Sequence, residues 1–279
     1  MTEQSEFVLV DRPLSGVALV TLNRPERMNS MAFDVMVPLR GVLDELRVDN
    51  DVRVIVLTGA GRGFSSGADH KSAGSVPHVA GLTRPSFALR SMEVLDEVIL
   101  ALRRLHQPVI AAVNGAAIGG GLCLALACDI RVAATGAYFR AAGINNGLTA
   151  SELGLSYLLP RAIGSSRAFD IMLTGRDVDA AEAERIGLVS QVVAEDELLA
   201  YCYGIAQRIA AFSRPGTELT KRTLWSGLDA GSLEGHMQAE GLGQLYVRLL
   251  TANFEEAVAA RAENRAPVFT DDKVFTDDR

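Results

Sequence analysis

Between Pro108 and Cys128 the chain runs PVIAAVNGAAIGGGLCLALAC, with Asn114 as the one clearly polar side chain. An apolar run of this length could cross a bilayer as a helix. Gly115, Gly119, Gly120 and Gly121 interrupt its middle, however, and each glycine costs up to ~1 kcal/mol relative to alanine inside a helix. The stretch therefore parses as a buried strand, Val109–Val113, then a glycine turn, then a buried helix through Leu122–Ala127. It is an internal segment, and a membrane span is not expected.

The neighbouring segments fit such a core. Phe7–Val10 and Val17–Leu22 are β-rich runs split by Pro13 and Gly16, which predicts a hairpin. Phe33, Val37, Leu43 and Leu46 have roughly helical spacing, with Pro38 as an expected kink. Val52–Leu57 is a buried-strand candidate that leads into the glycine-rich loop GAGRGFSSGADHKSAGSVPHVAG. Met92, Leu95, Ile99, Leu102 and Leu105 mark an amphipathic helix that stops before Pro108. Ile130–Ala133 is a further strand, Tyr138–Arg140 a short extended run, and Ser151 a candidate N-cap for a helix beginning ELGLSYLL. From Ser165 onward the pattern is helical except at Val189–Val193, with final helices at 195–212, about 216–226, 232–250 and 253–264. The expected class is α/β, with a core over residues 1–194 and a helical C-terminal subdomain over 195–279.

Composition narrows the function. Among 279 residues, Lys+Arg is 27 and Asp+Glu 34, a formal charge of 27 − 34 = −7, and the basic clusters are no larger than pairs such as Arg103-Arg104. Nucleic acid is therefore not the expected partner, since a phosphate backbone prefers a basic patch; a single nucleotide-sized anion could still be held. Cys123, Cys128 and Cys202 do not form a disulfide framework, and no second Cys/His pair completes a zinc site near the first two. Buried reduced thiols are expected. The start MTEQSEFVLVDR lacks a basic end and a long apolar core, so no signal peptide is read and a cytoplasmic location is expected.

Two glycine-rich turns each follow a buried strand, and each admits competing readings. Gly59, Gly61 and Gly63 give G-x-G-x-G, which lacks the third glycine spacing of a dinucleotide fingerprint. Gly63-Phe64-Ser65-Ser66-Gly67 matches the pattern of a nucleophile elbow, but Ser65 lies well past the strand and the following GADHKSAGSVP cannot propagate a helix. A third reading uses the backbone. Glycine lets a ligand approach main-chain N–H groups, and the helix start after Gly119–Gly121 offers unpaired donors at a positive dipole end. Two such turns could aim donors at one carbonyl oxygen, an oxyanion hole in which one donor is worth ~10²–10³ in rate. The residues alone equally allow glycines that only let strand and helix pack closely.

LTGAGRGFSSGADHKS followed by QPVIAAVNGAAIGGGLCLALACDIRVAA resembles the crotonase, or enoyl-CoA hydratase/isomerase, superfamily. LNRPERMNSM, SYLLPRAIGSSRAFDIMLTGRDVDAAEAERIGLVSQVV and ARAENRAPVF support it in the same order, from about Phe7 to Phe269. The resemblance implies a ββα-spiral core, an acyl-CoA thioester as substrate, and an enolate held by the backbone N–H groups of Ala68 and Gly120. It implies that CoA enters as part of the substrate with no separate cofactor or metal, in a channel lined near Arg24, Met28 and Lys71. It also implies a homotrimer or dimer of trimers built through the helical C-terminal part.

The sequence departs from the family where hydratases carry two glutamates. The first position, in GGGxE, is Cys123 here; the second, four residues before Gly147-Leu148, is Gly143. Glu152 lies near the position where dienoyl-CoA isomerases and 4-chlorobenzoyl-CoA dehalogenases carry an aspartate. A single carboxylate beside an oxyanion hole can take a proton at one carbon and return it at another, or attack as a nucleophile. It can also simply favour the positive end of its own helix, worth ~0.3–1 kcal/mol. Isomerisation is thus expected over hydration, with Ala68, Gly120 and Glu152 as the catalytic set. Dehalogenase-like or hydrolytic chemistry, or a non-catalytic acyl-CoA-binding protein, are the alternatives. Asp69, His70, Asn145 and Asn146 are weaker candidates.

Overall fold

A computed structural model describes residues 6–69 and 71–271. The hairpin forms as expected from β1 (Val8–Leu14) and β2 (Val17–Leu22), turning at Gly16 with φ +74°. Then come α1 (Phe33–Val48), β3 (Val54–Gly59), β4 (Gly63–Ser65) and α2 (Arg84–Arg104). The stretch first quoted folds as β5 (Val109–Val113), β6 (Ala116–Ile118) and α3 (Gly120–Ala127). It is followed by β7 (Ile130–Ala134), β8 (Tyr138–Arg140), α4 (Leu155–Ile163) and α5 (Ser165–Thr174). Next are β9 (Val178–Asp179), α6 (Ala180–Arg185) and β10 (Gln191–Val193). The chain closes with α7 (Leu198–Ala210), α8 (Arg214–Gly227), α9 (Leu233–Leu250) and α10 (Asn253–Ala262).

Strand, strand and helix recur as a unit: β3-β4-α2, β5-β6-α3, β7-β8-α4. The first strand of each unit enters a six-stranded sheet, ordered β1-β2-β3-β5-β7-β10, and the second a four-stranded sheet, ordered β4-β6-β8-β9. The larger sheet is parallel from β2 to β10. Its central strands read VIVLTG and VIAAV and are buried at every position, as strands covered on both faces must be. The crossings between sheets need glycine. A Cβ on Gly59 would press on the Gly63 carbonyl and one on Gly115 on the Arg62 carbonyl. The units thus turn corners at residues where backbone meets backbone.

The main core packs α1, α2, α3 and α4 against the sheets, through residues such as Met36, Leu39, Leu57, Phe64, Leu102 and Leu122. A second cluster lies on the other side chains of the large sheet, where Leu198, Cys202 and Ala206 of α7 meet Val54, Val56, Ile110 and Val132. No residue of α9 is buried, and Leu233, Leu242, Leu245 and Leu249 stand exposed along it. No helix among the described residues is long and apolar enough to cross a membrane.

Several expectations need correction. The buried stripe of α1 is Val35, Met36, Leu39, Leu43 and Leu46, whereas Val37 is exposed. Ser151 is not an N-cap: the helix starts at Leu155, with Gly154 in the left-handed region at φ 80° as its cap. Strands β4, β6 and β9, of three, three and two residues, were not read from the sequence. Runs that short carry no periodicity.

Candidate functional site

The site begins where residues 24–31 zip onto the glycine loop. Asn29, fully buried, takes a left-handed φ of 52°, which asparagine tolerates better than most side chains. Its amide donates to the carbonyls of Ala60 (2.8 Å) and Gly63 (2.7 Å) and accepts from the Arg24 N–H (2.8 Å). The Ser66 N–H then donates to the Met28 carbonyl at 2.9 Å, and the Met31 N–H to the Gly67 carbonyl at 2.7 Å. Asp69 N–H returns to the Met31 carbonyl at 3.3 Å. In this parallel bridge Met31 engages both neighbours of Ala68, so the N–H and C=O of Ala68 itself face away from Met31. Ala68 is exposed between buried Gly67 and Asp69.

The second turn ends at Gly119, whose φ 53°, ψ −119° lies outside the range of ordinary side chains. Gly119 caps α3 and leaves Gly120 as its first residue, with an N–H that has no intrahelical acceptor. The turn is held by the Gly119 N–H on the Arg140 carbonyl (2.8 Å) and the Cys123 N–H on the Gly119 carbonyl (3.1 Å).

The two turns meet. A Cβ on Gly67 would stand 3.4 Å from the Gly120 nitrogen and 2.6 Å from the Ile118 carbonyl oxygen. One on Gly120 would collide with the Met31 sulfur, and one on Gly121 with the Ser65 carbonyl. The glycines therefore permit close packing, and that packing sets the Gly120 N–H beside the Gly67-Ala68 turn.

Glu152 reaches the same place from the far side. It precedes α4 and is not within its first turn; its carbonyl accepts from the Leu155 N–H at 2.7 Å. Leu153 follows with φ 46° and Gly154 with φ 80°. A left-handed leucine costs on the order of 1–3 kcal/mol, a cost typical of functional segments. The reversal directs the Glu152 carboxylate to Gly119, where Oε1 lies 3.1 Å from the position a Cβ would take. Leu153 Cδ1 lies 3.2 Å from the Cβ position of Gly120. The carboxylate and the free helix start thus share one corner, although Glu152 is not in its own helix.

The two hydratase positions offer no carboxylate. Cys123 is fully buried, and burial first, the charge of Glu152 second, push its thiol well above the ordinary range. It is a neutral thiol and not a thiolate nucleophile. At Gly143, a Cβ would run into the Thr149 carbonyl, so the backbone itself occupies that space. All three cysteines are free and buried, as expected. Among the described residues no cluster of three or more His, Cys, Asp or Glu could hold a metal.

Asp69 is a structural tie. Burial would raise its pKa, but it accepts from Arg27 (2.6 Å), the N–H groups of Ser72 and Lys71 (each 2.9 Å) and the Ser30 hydroxyl (3.1 Å). Together these hold the carboxyl well below the usual carboxylate range. Arg24 also binds Asp69, at 3.0 Å, so its guanidinium braces the loop. Met28 is half-buried, with its methyl 3.0 Å from the Cβ position of Gly63. Lys71 is exposed at the loop surface. Ser65 is fully buried in β4 and is no nucleophile elbow. The Asn145 amide donates to the Gly175 carbonyl at 3.1 Å, a loop-to-helix tie, and Asn146 is exposed. His70 lies outside the described residues. The sequence reading missed Asn29 as the organiser of the loop; its signal was an asparagine inside MNS, after the turn Pro25–Arg27.

Beside this corner an apolar groove of about 760 Å³ runs between residues 144–151 and helices α4 and α5, with Ile144, Leu148, Phe169 and Leu173 on its walls. Ala68, Gly120 and Glu152 do not line it.

A family model described as enoyl-CoA hydratase/isomerase matches residues 13–272. A probable enoyl-CoA hydratase of Mycobacterium bovis is 81% identical over 266 residues, covering 95% of this chain and 93% of the relative. A crystal structure of a probable enoyl-CoA hydratase/isomerase from Mycobacterium abscessus is 73% identical, with a TM-score of 0.92 over 96% of this chain and 100% of that one. A structure described as a monofunctional enoyl-CoA isomerase from M. smegmatis is also 73% identical, with a TM-score of 0.72 over 84% of this chain and 99% of that one.

Proposed function

This chain belongs to the enoyl-CoA hydratase/isomerase family of the crotonase superfamily, and we propose that it moves a double bond within an acyl-CoA thioester and does not add water across it. Glu152 takes an acidic proton next to the thioester carbonyl. The electron pair moves into the carbonyl, and the N–H groups of Ala68 and Gly120 receive the resulting enolate oxygen. Glu152 then returns the proton to a more distant carbon, and the double bond moves with the electrons. No water or electron acceptor enters, so the step balances with one acid/base group.

The observation that carries this reading is the single carboxylate. Glu152 abuts Gly119 at the start of α3, while the two positions that would hold a water between carboxylates carry a neutral buried thiol and a glycine whose side-chain space is filled by backbone. The M. smegmatis relative described as an enoyl-CoA isomerase supports the same direction.

CoA enters as part of the substrate, with no separate cofactor. Lys71 offers an exposed cation to a CoA phosphate, and Arg24 and Met28 shape the channel wall. The exposed leucines of α9 and the apolar groove beside α5 support assembly as a homotrimer or dimer of trimers. Three buried free thiols suit a reducing cytoplasm. The test is mass spectrometry of an enoyl-CoA panel incubated in D₂O. Double-bond migration or deuterium uptake without added water is expected; a product heavier by one water overturns isomerisation.

A further inference from the structure

Cys123 does two things at the corner where the oxyanion donor and the carboxylate meet. Its N–H closes the first turn of α3 on the Gly119 carbonyl at 3.1 Å, which fixes the turn that presents the Gly120 N–H. Its thiol donates to the main-chain carbonyl of Glu152, with sulfur and oxygen 3.5 Å apart. One residue thus ties the donor turn to the segment that carries the acid/base group.

That segment needs a tie. The 3-10 turn at Ile144–Asn146 ends in left-handed Gly147, and Leu153 and Gly154 are again left-handed. Residues 144–149 are exposed throughout. Loops of this kind take more than one arrangement unless something in the core holds them. The Cys123 thiol comes from the fully buried helix α3 and grips the backbone of the very residue whose side chain must be placed.

From this contact we propose that Cys123 is a positioning residue: its S–H···O=C bond to Glu152 sets the carboxylate against the oxyanion turn. The inference rests on the isomerase reading above, in which Glu152 moves the proton. Because the thiol stays protonated in this apolar setting, it serves as a donor without adding a second negative charge. An uncharged donor to the main chain orients the loop and adds no charge beside the glutamate. Proton transfer is sensitive to such placement, since about 1 Å of displacement can cost ~10²-fold in rate.

The experiment compares wild type, Cys123→Ala and Cys123→Ser for deuterium exchange of the enoyl-CoA panel. Folding is checked by urea unfolding, and binding by titration of a saturated acyl-CoA that cannot isomerise. Cys123→Ala removes the donor and is expected to lower kcat ~10-fold, within the range that small displacements produce. KM and saturated acyl-CoA affinity stay within about twofold, because the binding surface is untouched. Cys123→Ser restores a donor and is expected to recover most of the kcat. Unchanged kcat in Cys123→Ala, a loss confined to KM, or a Cys123→Ser variant as slow as Cys123→Ala would each overturn the proposal.

A second readout needs no turnover. The infrared S–H stretch of Cys123, isolated by subtracting the Cys123→Ala spectrum, should show the downshift of a hydrogen-bonded thiol. A band at the position of a thiol without a partner overturns the proposal by itself. A wild type inert toward the whole panel refutes the isomerase reading instead, and the catalytic half of this inference falls with it.

Discussion

Lys221 of α8 reaches Asp129, just beyond the end of α3, across 2.8 Å, and only 5% of the lysine side chain is exposed. The same carboxylate accepts from the Val109 N–H at 2.7 Å and from the Trp225 indole at 2.6 Å. Lys221 also donates to the Gln107 carbonyl at 2.8 Å, and the Arg103 guanidinium lies 3.5 Å above the Trp225 ring. Burial lowers the Lys221 pKa, and Asp129 opposes that shift. The helical C-terminal part is thus pinned to the end of the helix whose beginning supplies the Gly120 N–H.

Lys221→Met leaves Asp129 charged and without its cation in a dry setting, which typically costs about 3–5 kcal/mol. The urea midpoint should fall sharply, with the m-value unchanged. Replacing both partners, as Lys221→Met with Asp129→Asn, should recover part of the loss. A single variant as stable as wild type would show that the pair contributes nothing.

Glu152→Gln keeps the shape of the side chain and removes its ability to take a proton. Turnover should drop ~10²–10⁴-fold, while calorimetric binding of a saturated acyl-CoA remains near wild type. Retained exchange in this variant would move the base elsewhere.

Asp69 gives the fold a pH dependence. Its carboxyl pKa is depressed in the folded protein, so its contribution to stability is present above the unfolded value of about 4. It is lost as pH falls through the folded value, because the unfolded chain binds the proton first. In unfolding measured from pH 7 downward, the gap between wild type and Asp69→Asn should be constant to about pH 5 and narrow below pH 4. A gap that stays constant into strong acid would contradict the sign.

Restoring the missing carboxylates should not create a hydratase. Cys123→Glu places a charge in a site with no exposure, and Gly143→Glu drives a Cβ into the Thr149 carbonyl. The double variant is expected to lose stability, and hydration of an enoyl-CoA, followed by loss of absorbance of the conjugated thioester, should stay undetectable. Efficient hydration would show that the corner still accepts a paired-carboxylate water.

The limits of the sequence are visible at particular residues. Val109–Val113 announced itself as a continuous apolar run, because a strand buried on both faces needs one, and Val52–Leu57 did so apart from Arg53. Gly119, with its φ of 53°, and Gly120, which faces the Met31 sulfur, announced a close approach, though not what approaches. Ser151 misled, since a good capping residue sits four places before a helix that starts at Leu155 under a glycine cap. Val37 misled too, for helical spacing alone does not tell which side of α1 faces the core.

By itself the sequence determined the buried strands, the two glycine turns, the family, and the absence of glutamates at positions 123 and 143. Each is local: a run of side chains, a residue type at a place, a motif in order. Only the tertiary structure decided that the Gly67 turn lies against the Gly120 nitrogen, that Glu152, ahead of α4, meets Gly119, and that Cys123 grips the Glu152 backbone. Those contacts join residues far apart in the chain, and they form because two sheets and the left-handed backbone at Leu153 and Gly154 bring three segments to one corner. Sequence spacing carries no record of that meeting; close packing does.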